Sequence, residues 1–352
     1  MIERTSFKCL DNCFRKINRK TEIWDYYTKR TKRNSNGDIY PIKDAYLFIK
    51  KYFTLGGKES LIDYFERDIK NIEEFRYEHT VLVFLLGIYF YENVPSIKNK
   101  IQEKMQEDKD KRAYLYTWFL CCLYHDIGYA YENDKNIAES NIDNYLGNFE
   151  NICSELEYYD LAKKYFNYKK SEFNKCDHGI IGGLILYTQL RSIYCDKTIH
   201  RDGLIYDESD YKLHEIAANA IIRHNMWTAT NKKTTCEYKK YKLDELICGK
   251  KINIDEPFLF LLCLCDTIEP YKKFSELGIS SECIYKNFYI CIRDNRISLK
   301  NDFTKIVLDK KKYKEFNNKY YEYVKGIDGL SEWINLEVFS STEMRINVNK
   351  EA

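Results

Sequence analysis

The sequence is poor in proline, in long apolar runs and in net charge. Only four of its 352 residues are proline, which suits long helices because proline interrupts them. No stretch approaches about 18 uninterrupted apolar residues and no apolar signal segment is present, so we expect no membrane span. Lys+Arg 56 against Asp+Glu 54 leaves a net charge of +2, which excludes a whole-molecule field that would attract nucleic acid.

The sequence also lacks the cysteine spacing of a zinc ribbon. Thirteen cysteines are present, but none forms a Cys-x-x-Cys pair. Cys9 and Cys13 are four apart, and Cys263 and Cys265 lie within an apolar run. We therefore expect buried free thiols and a reduced, cytoplasmic protein.

The N-terminal region is basic. Residues 1–35 hold ten basic side chains against four acidic ones. Two interpretations stay open: a patch that faces phosphate or nucleic acid, or a solvated terminus, which is the commoner role of such charge runs. Residues 41–70 predict two short amphipathic helices interrupted at Gly56-Gly57, and we assign residues 1–70 to an N-terminal helical extension.

Five apolar segments with helical spacing each place metal-capable side chains at a buried position or at a helix end. A buried imidazole or carboxylate is costly unless it is hydrogen-bonded, paired or bound to metal. Taken singly, each histidine has an ordinary structural role, whereas Asp266 is harder to dismiss because a carboxylate in an apolar helix needs a partner. The ordered set therefore carries the inference. Its members are His79, His125-Asp126, His178, His224 and Asp266.

Glycines and a polar stretch lie around these segments. Gly128 follows the His125-Asp126 pair and should end the helix of residues 113–124. Residues 129–176 are polar and broken, and we interpret them as an insertion that forms a lid. Gly182-Gly183 lies inside a predicted helix and would permit close approach of another helix.

The sequence period changes after about residue 285. Phe288–Arg293 and Arg296–Lys300 flank Asp294-Asn295, which predicts a hairpin. Residues 309–334 then predict a long helix and residues 337–348 a strand. The predicted fold is mainly α, with a small α+β appendage at the C-terminus over residues 286–352.

The order H…HD…H…H…D resembles the HD-domain superfamily of metal-dependent phosphohydrolases. It covers roughly residues 72–270 and implies an HD-type helical bundle, which we place at 71–285 with 129–176 as its insertion. The matching residues are Glu78-His79, His125-Asp126-Ile127-Gly128, Asp177-His178-Gly179, Arg223-His224-Asn225 and Cys265-Asp266.

The resemblance implies two divalent transition-metal ions. It puts His79, His125, Asp126 and Asp266 on one ion, and His178 and His224 on a second that Asp126 bridges; a one-metal site stays an alternative. Imidazole and carboxylate ligands suit Fe, Mn, Co, Ni or Zn. Neighbouring residues on one helix point about 100° apart, which would let Asp126 reach a second ion. Two such ions hold a bridging hydroxide and clamp the oxygens of an in-line phosphoryl displacement.

Three residues are candidates for catalysis: Asp126, Asp177 and Arg223. Asp177 precedes a predicted ligand, so it could accept a hydrogen bond from it or shuttle a proton. A helix N-cap is the ordinary alternative for an aspartate at this position. Arg223 could meet phosphate, although a solvated basic residue is the default.

Four further residues are weaker candidates for substrate binding: Tyr129, Glu132, Arg191 and Lys272. Tyr129 and Glu132 follow the HDIG turn and could face the mouth of the site. Many HD proteins have lysine where Tyr129 stands, so their substrate contacts do not transfer directly. Arg191 and Lys272 could meet phosphate.

The leading functional hypothesis is a phosphohydrolase or phosphodiesterase for a nucleotide or a related phosphoester. One alternative is an HD-type mixed-valence di-iron oxygenase. Another is a nucleotide-binding regulatory module with a vestigial metal site. The expected partner is a phosphorylated small molecule, with no membrane and no specific indication of nucleic acid.

Overall fold

A computed structural model gives the fold of this chain. It describes residues 5–6, 30–31, 45–54, 58–59, 61–62, 75–105, 111–132, 151–194, 200–201, 204–205, 210–229, 231–301, 306, 310–338 and 344–348. The basic stretch 1–35 therefore lies almost entirely outside the described residues. The prediction of a second helix before residue 70 also lies mostly outside them.

Helices predominate, which confirms the predicted mainly α class. They are α1 (Ala45–Phe53), α2 (Phe75–Asn93), α3 (Pro95–Lys104), α4 (Lys111–Tyr124), α5 (Tyr129–Glu132), α6 (Tyr159–Phe173), α7 (His178–Tyr194), α8 (Asp210–Arg223), α9 (Lys232–Lys240), α10 (Asp244–Ile247), α11 (Pro257–Ile268), α12 (Tyr271–Phe274), α13 (Ser281–Lys286) and α14 (Lys310–Trp333). The strands are β1 (Thr5–Ser6), β2 (Arg30–Thr31), β3 (His200–Arg201), β4 (Leu204–Ile205), β5 (Phe288–Arg293), β6 (Arg296–Asn301), β7 (Glu337–Val338) and β8 (Met344–Asn347).

The chain divides into two compact units, and each is built from separated segments. The first unit comprises residues 1–20, 75–107 and 251–352, and the second comprises 21–74 and 108–250. The domain limits that the sequence suggested, at residues 70 and 285, stay predictions.

Helix α11 is the core helix of the first unit. Its residues from Pro257 to Cys265 are all buried, as expected of a helix that is apolar on every side. It packs against α2, α3 and α14. The Tyr323 hydroxyl of α14 donates to the carbonyl of Ile268 at 2.7 Å, which satisfies a backbone group at the end of α11.

The appendage of the first unit contains an antiparallel sheet in the order β1-β5-β6-β8-β7. The predicted hairpin is confirmed, with Ile290 opposite Leu299 and a positive φ of 55° at Asp294 in the turn. The single strand predicted over residues 337–348 is wrong, since β7 and β8 are separate strands that pair antiparallel. A single strand of twelve residues would be about 40 Å long. The neighbouring strand β6 has only six residues, so it could pair with only about half of that length.

Helices α7 and α8 pack against each other in the second unit, and α4 packs against both. A Cβ added at Gly183 of α7 would lie 2.7 Å from the carbonyl oxygen of Ala218 on α8. No side chain fits in that space. The predicted close approach at Gly182-Gly183 is therefore confirmed.

Aromatic side chains fill much of the remaining core of the second unit. The rings of Phe48 and Tyr52 on α1 pack edge-on against Phe119 of α4. Part of the predicted insertion forms helix α6, whose Tyr168 ring packs edge-on against Tyr238 of α9 at 4.9 Å. The polar segment therefore contributes a buried aromatic face, while its role as a lid stays a prediction.

Two further expectations concern thiols and membrane spans. Among the described cysteines, buried free thiols are present at Cys121, Cys122, Cys153, Cys176, Cys263 and Cys265. No single helix in the described part of the chain combines the length and the apolar character needed to cross a membrane. One bent pair, Arg76–Asn93 with Pro95–Lys104, meets that criterion on length and composition alone.

Candidate metal centre

The His125-Asp126 pair lies in a turn just after α4. The backbone N–H of His125 still donates to Cys121 at 3.1 Å, the last helical bond of this segment. A Cβ at Gly128 would lie 2.1 Å from the carbonyl oxygen of His178, so only glycine allows this turn to approach the start of α7. The expectation that both residues lie on one helix is therefore corrected, because the chain turns to meet α7.

Asp126, His178 and His224 form a buried cluster in the second unit. One ligand atom from each of these residues lies within 4.8 Å of the others. His178 Nε2 is 3.9 Å from Asp126 Oδ1. Two imidazoles and one carboxylate make a donor set typical of catalytic transition-metal sites. These three residues therefore fit a divalent transition metal.

Hydrogen bonds on the far side of each ring fix the tautomers of His125 and His224. His125 Nδ1 lies 2.7 Å from the carbonyl oxygen of Cys122, and His224 Nδ1 lies 2.6 Å from that of Ile221. Because a carbonyl oxygen only accepts, Nδ1 carries the proton in both rings. Nε2 is then the atom with a lone pair, the arrangement that metal-binding histidines require.

The His178 ring is held by its neighbours from α5. Its Nδ1 is 3.3 Å from Glu132 Oε2, and the Tyr129 ring stacks on it at 3.7 Å between centroids. Burial would raise the pKa of Glu132, but the interaction with His178, together with the charges of Lys175 and Lys169, lowers it. Of the substrate-binding candidates, Tyr129 and Glu132 thus contact a predicted ligand.

The imidazoles of His125, His178 and His224 lie side by side in the second unit. The His224 ring packs edge-on against His125 at 5.6 Å and against His178 at 5.2 Å. Gly179 makes room for this arrangement, because a Cβ there would lie 2.8 Å from the His224 ring. The sequence order alone does not reveal this packing.

Asp177 caps helix α7. Its Oδ1 accepts the backbone N–H of Ile180 at 3.1 Å, and its Oδ2 accepts the side-chain amide of Asn225 at 3.0 Å. Burial raises the pKa of this carboxyl. The structure thus shows the N-cap role, and the catalytic role stays a prediction.

The two arginine candidates make other contacts. The Arg223 guanidinium lies 4.2 Å from the centroid of the Tyr158 ring. Arg191 pairs with Glu155 and donates to the Tyr187 hydroxyl at 2.9 Å. Arg191 stands thirteen residues after His178 on α7, which is about 20 Å along the helix. The structure therefore does not bring Arg191 to the cluster.

The first unit brings His79 and Asp266 together. His79 Nε2 lies 3.0 Å from Asp266 Oδ1, and the Lys272 ammonium lies 3.0 Å from the same oxygen. Burial and Lys272 both disfavour the imidazolium, but hydrogen bonds to Asp266 and Glu269 raise the pKa of His79 to about 8. The assignment of His79, His125, Asp126 and Asp266 to one ion stays a prediction of the sequence.

Glu269 is a residue of the candidate site that the sequence did not single out. Its carboxylate is buried and accepts the backbone N–H groups of Tyr271 and Lys272 and the Tyr285 hydroxyl. Its Oε2 also lies 2.7 Å from His79 Nδ1. The available signal was its spacing: a carboxylate three residues after Asp266 would share its helix face if the helix continued, although α11 ends at Ile268.

Comparison with protein-family models, with curated proteins and with solved structures finds no match to this chain. The helical fold and the histidine–aspartate cluster are compatible with an HD-type metal site.

Proposed function

We propose that this protein is a cytoplasmic metal-dependent phosphohydrolase or phosphodiesterase that acts on a nucleotide or a related phosphoester. The observation that carries the proposal is the Asp126–His178–His224 cluster, whose ligand atoms lie within 4.8 Å of one another. The H…HD…H…H…D order supports a second ion and the hydrolytic class.

The residues of the cluster would hold one divalent ion and keep its ligands oriented. When bound, such ions polarise phosphoryl oxygens and lower the pKa of coordinated water. Asp126 supplies the anionic ligand, the carbonyl of Ile221 holds the His224 proton on Nδ1, and Glu132 Oε2 lies 3.3 Å from His178 Nδ1. The stacked Tyr129 ring covers one face of His178 and excludes water from it.

The position of Lys272 supports the proposal that the substrate is an anion. Its ammonium lies 3.0 Å from Asp266 Oδ1 and is about one quarter exposed. A partly exposed cation beside a predicted metal ligand suits recognition of a phosphate oxygen. The nucleotide part of the proposal comes from the HD resemblance.

The test is metal analysis of anaerobically purified protein, combined with turnover of nucleotides and cyclic dinucleotides. The proposal expects stoichiometric transition metal and phosphate or nucleotide release that a chelator abolishes. Oxygen consumption by iron-loaded protein without phosphate release would favour the di-iron oxygenase instead. Absence of both metal and turnover would favour the regulatory module.

A further inference from the structure

An exposed tryptophan follows the candidate metal cluster closely in the sequence. Trp227 is 41% exposed, whereas Trp118 and Trp333 are at most 2% exposed. Trp227 follows His224 by three residues, so their Cα atoms are at most about 11 Å apart. A large, exposed aromatic ring therefore lies close along the chain to a predicted metal ligand.

A chain of hydrogen bonds connects this indole to the cap of helix α7. The indole Nε1–H donates to Asn225 Oδ1 at 3.2 Å, and Asn225 Nδ2 donates to Asp177 Oδ2 at 3.0 Å. The two bonds require one orientation of the Asn225 amide, because the carboxylate only accepts and the indole N–H only donates. Asp177 in turn caps the helix that begins at His178.

Two buried tyrosines hold the backbone of the same segment. The Tyr165 hydroxyl donates to the carbonyl of Asn225 at 3.2 Å, and the Tyr238 hydroxyl donates to the carbonyl of Trp227 at 2.8 Å. The Tyr165 and Tyr238 rings pack edge-on at 6.3 Å. The segment after α8 is therefore fixed although it is not helical.

A fixed, exposed aromatic ring binds a planar ligand at low entropic cost. Little side-chain freedom remains to be lost on binding, and ordering costs are a large part of what association must overcome. Stacking of a nucleobase on an aromatic ring also tolerates any base, because every base has a π-face.

We propose that Trp227 is the stacking platform for the nucleobase of a nucleotide substrate. This inference rests on the proposed function for the phosphate end of the ligand and adds a site for the base. The indole N–H and the Asn225 side-chain oxygen bind each other, so they contribute little base readout. Purines should bind somewhat more tightly than pyrimidines, since they offer the larger stacking face.

Tryptophan fluorescence tests the platform separately from catalysis. The experiment uses the Trp24→Phe variant, because Trp24 lies outside the described residues and its emission would complicate the signal. This variant is titrated with adenosine, AMP and ribose 5-phosphate. Adenosine and AMP should quench the emission saturably, because Trp118 and Trp333 are buried. Ribose 5-phosphate, which has no base, should not.

Three variants sharpen the test. Trp227→Ala should abolish the quenching and weaken AMP binding roughly 5- to 150-fold, the range of base–aromatic stacking. Trp227→Phe keeps an aromatic face and should retain most of the affinity. Tyr321→Ala, at a tyrosine of α14 that is 70% exposed, is the control and should change nothing.

The outcomes separate this inference from the proposed function. Nucleotide hydrolysis with an AMP affinity unchanged in Trp227→Ala would overturn the platform and leave the phosphohydrolase standing. Quenching by adenosine that Trp227→Ala abolishes, in a protein without hydrolytic activity, would support the platform and overturn the phosphohydrolase. Equal loss of affinity in Trp227→Phe and Trp227→Ala, without any quenching by adenosine, would also overturn the platform.

Discussion

Glu269 Oε2 lies 2.7 Å from His79 Nδ1, and both side chains are fully buried. A carboxylate on one ring nitrogen fixes the orientation of an imidazole and makes its other nitrogen a better ligand. That other nitrogen, His79 Nε2, is the atom that lies 3.0 Å from Asp266. Glu269 is therefore a positioning residue for a predicted metal ligand.

Glu269→Gln should weaken metal binding roughly 10- to 100-fold, the usual effect of losing such a supporting carboxylate. The glutamine keeps one carbonyl oxygen, which can still accept the backbone N–H of Tyr271, so the fold should persist by circular dichroism. Metal titration followed by elemental analysis measures the loss. Glu276→Gln is the matched control, because Glu276 is half exposed and pairs with Lys319. Unchanged metal affinity in Glu269→Gln would contradict the positioning role.

Asp126→Ala should abolish metal occupancy and turnover, because it removes the only carboxylate of the Asp126–His178–His224 cluster. The protein should remain largely helical, since the substitution removes a side chain that lies in a turn. Asp255→Ala is the control, at a partly exposed aspartate that pairs with Lys100 at 2.6 Å. Metal retained by Asp126→Ala, or lost equally from both variants, would show that the cluster is not the binding site.

Local periodicity predicted the helices that carry the site. The apolar stripes around His79, His178 and Asp266 correspond to helices α2, α7 and α11, and the predicted residues lie at their ends or on their buried sides. This succeeds because burial of one helix face leaves a repeat in the sequence. The hairpin at Asp294-Asn295 was predictable for a similar reason, since its turn residues tolerate a positive φ.

Contacts between distant positions left no such repeat. Glu269 and His79 are 190 residues apart, so no local pattern connects them. The sequence could not predict the turn at His125-Asp126, because this turn depends on the approach of Gly128 to the backbone of His178. The Trp227–Asn225–Asp177 chain likewise depends on two segments that only the fold brings together.

Gly128→Ala should destabilise the protein by about 1–3 kcal/mol, the range for overpacking a close contact. Its Cβ would lie 2.1 Å from the His178 carbonyl oxygen, so the backbone at a predicted ligand must move. Metal affinity should fall together with stability. Urea unfolding with and without metal measures both effects.

Gly329→Ala provides the matched control for Gly128→Ala. Gly329 lies inside helix α14, and a Cβ there would meet nothing within 4 Å. This substitution should stabilise the protein by roughly 0.5–1 kcal/mol, the helix preference of alanine over glycine. A destabilisation of similar size in both variants would show that the Gly128 contact has no special role.

The raised pKa of His79 predicts how the stability of the metal-free protein depends on pH. Hydrogen bonds to Asp266 and Glu269 overcome burial and the Lys272 charge and raise this pKa from 6.5 to about 8. The folded protein therefore holds the proton more tightly than the unfolded chain does. The resulting stabilisation, about 2 kcal/mol, is fully present below pH 6.5 and is lost as the pH rises through about 8.

Urea unfolding of chelator-treated protein across this pH window measures the effect, and His79→Gln should remove the slope. His214 does not interfere, because burial and the Lys58 charge lower its pKa to about 3, so its own contribution changes only below pH 6.5. Metal binding should show the opposite trend, since an imidazolium cannot act as a ligand. Apparent metal affinity should rise about tenfold per pH unit up to about pH 8 and then level off. A metal affinity that is independent of pH in this window would exclude His79 as a ligand.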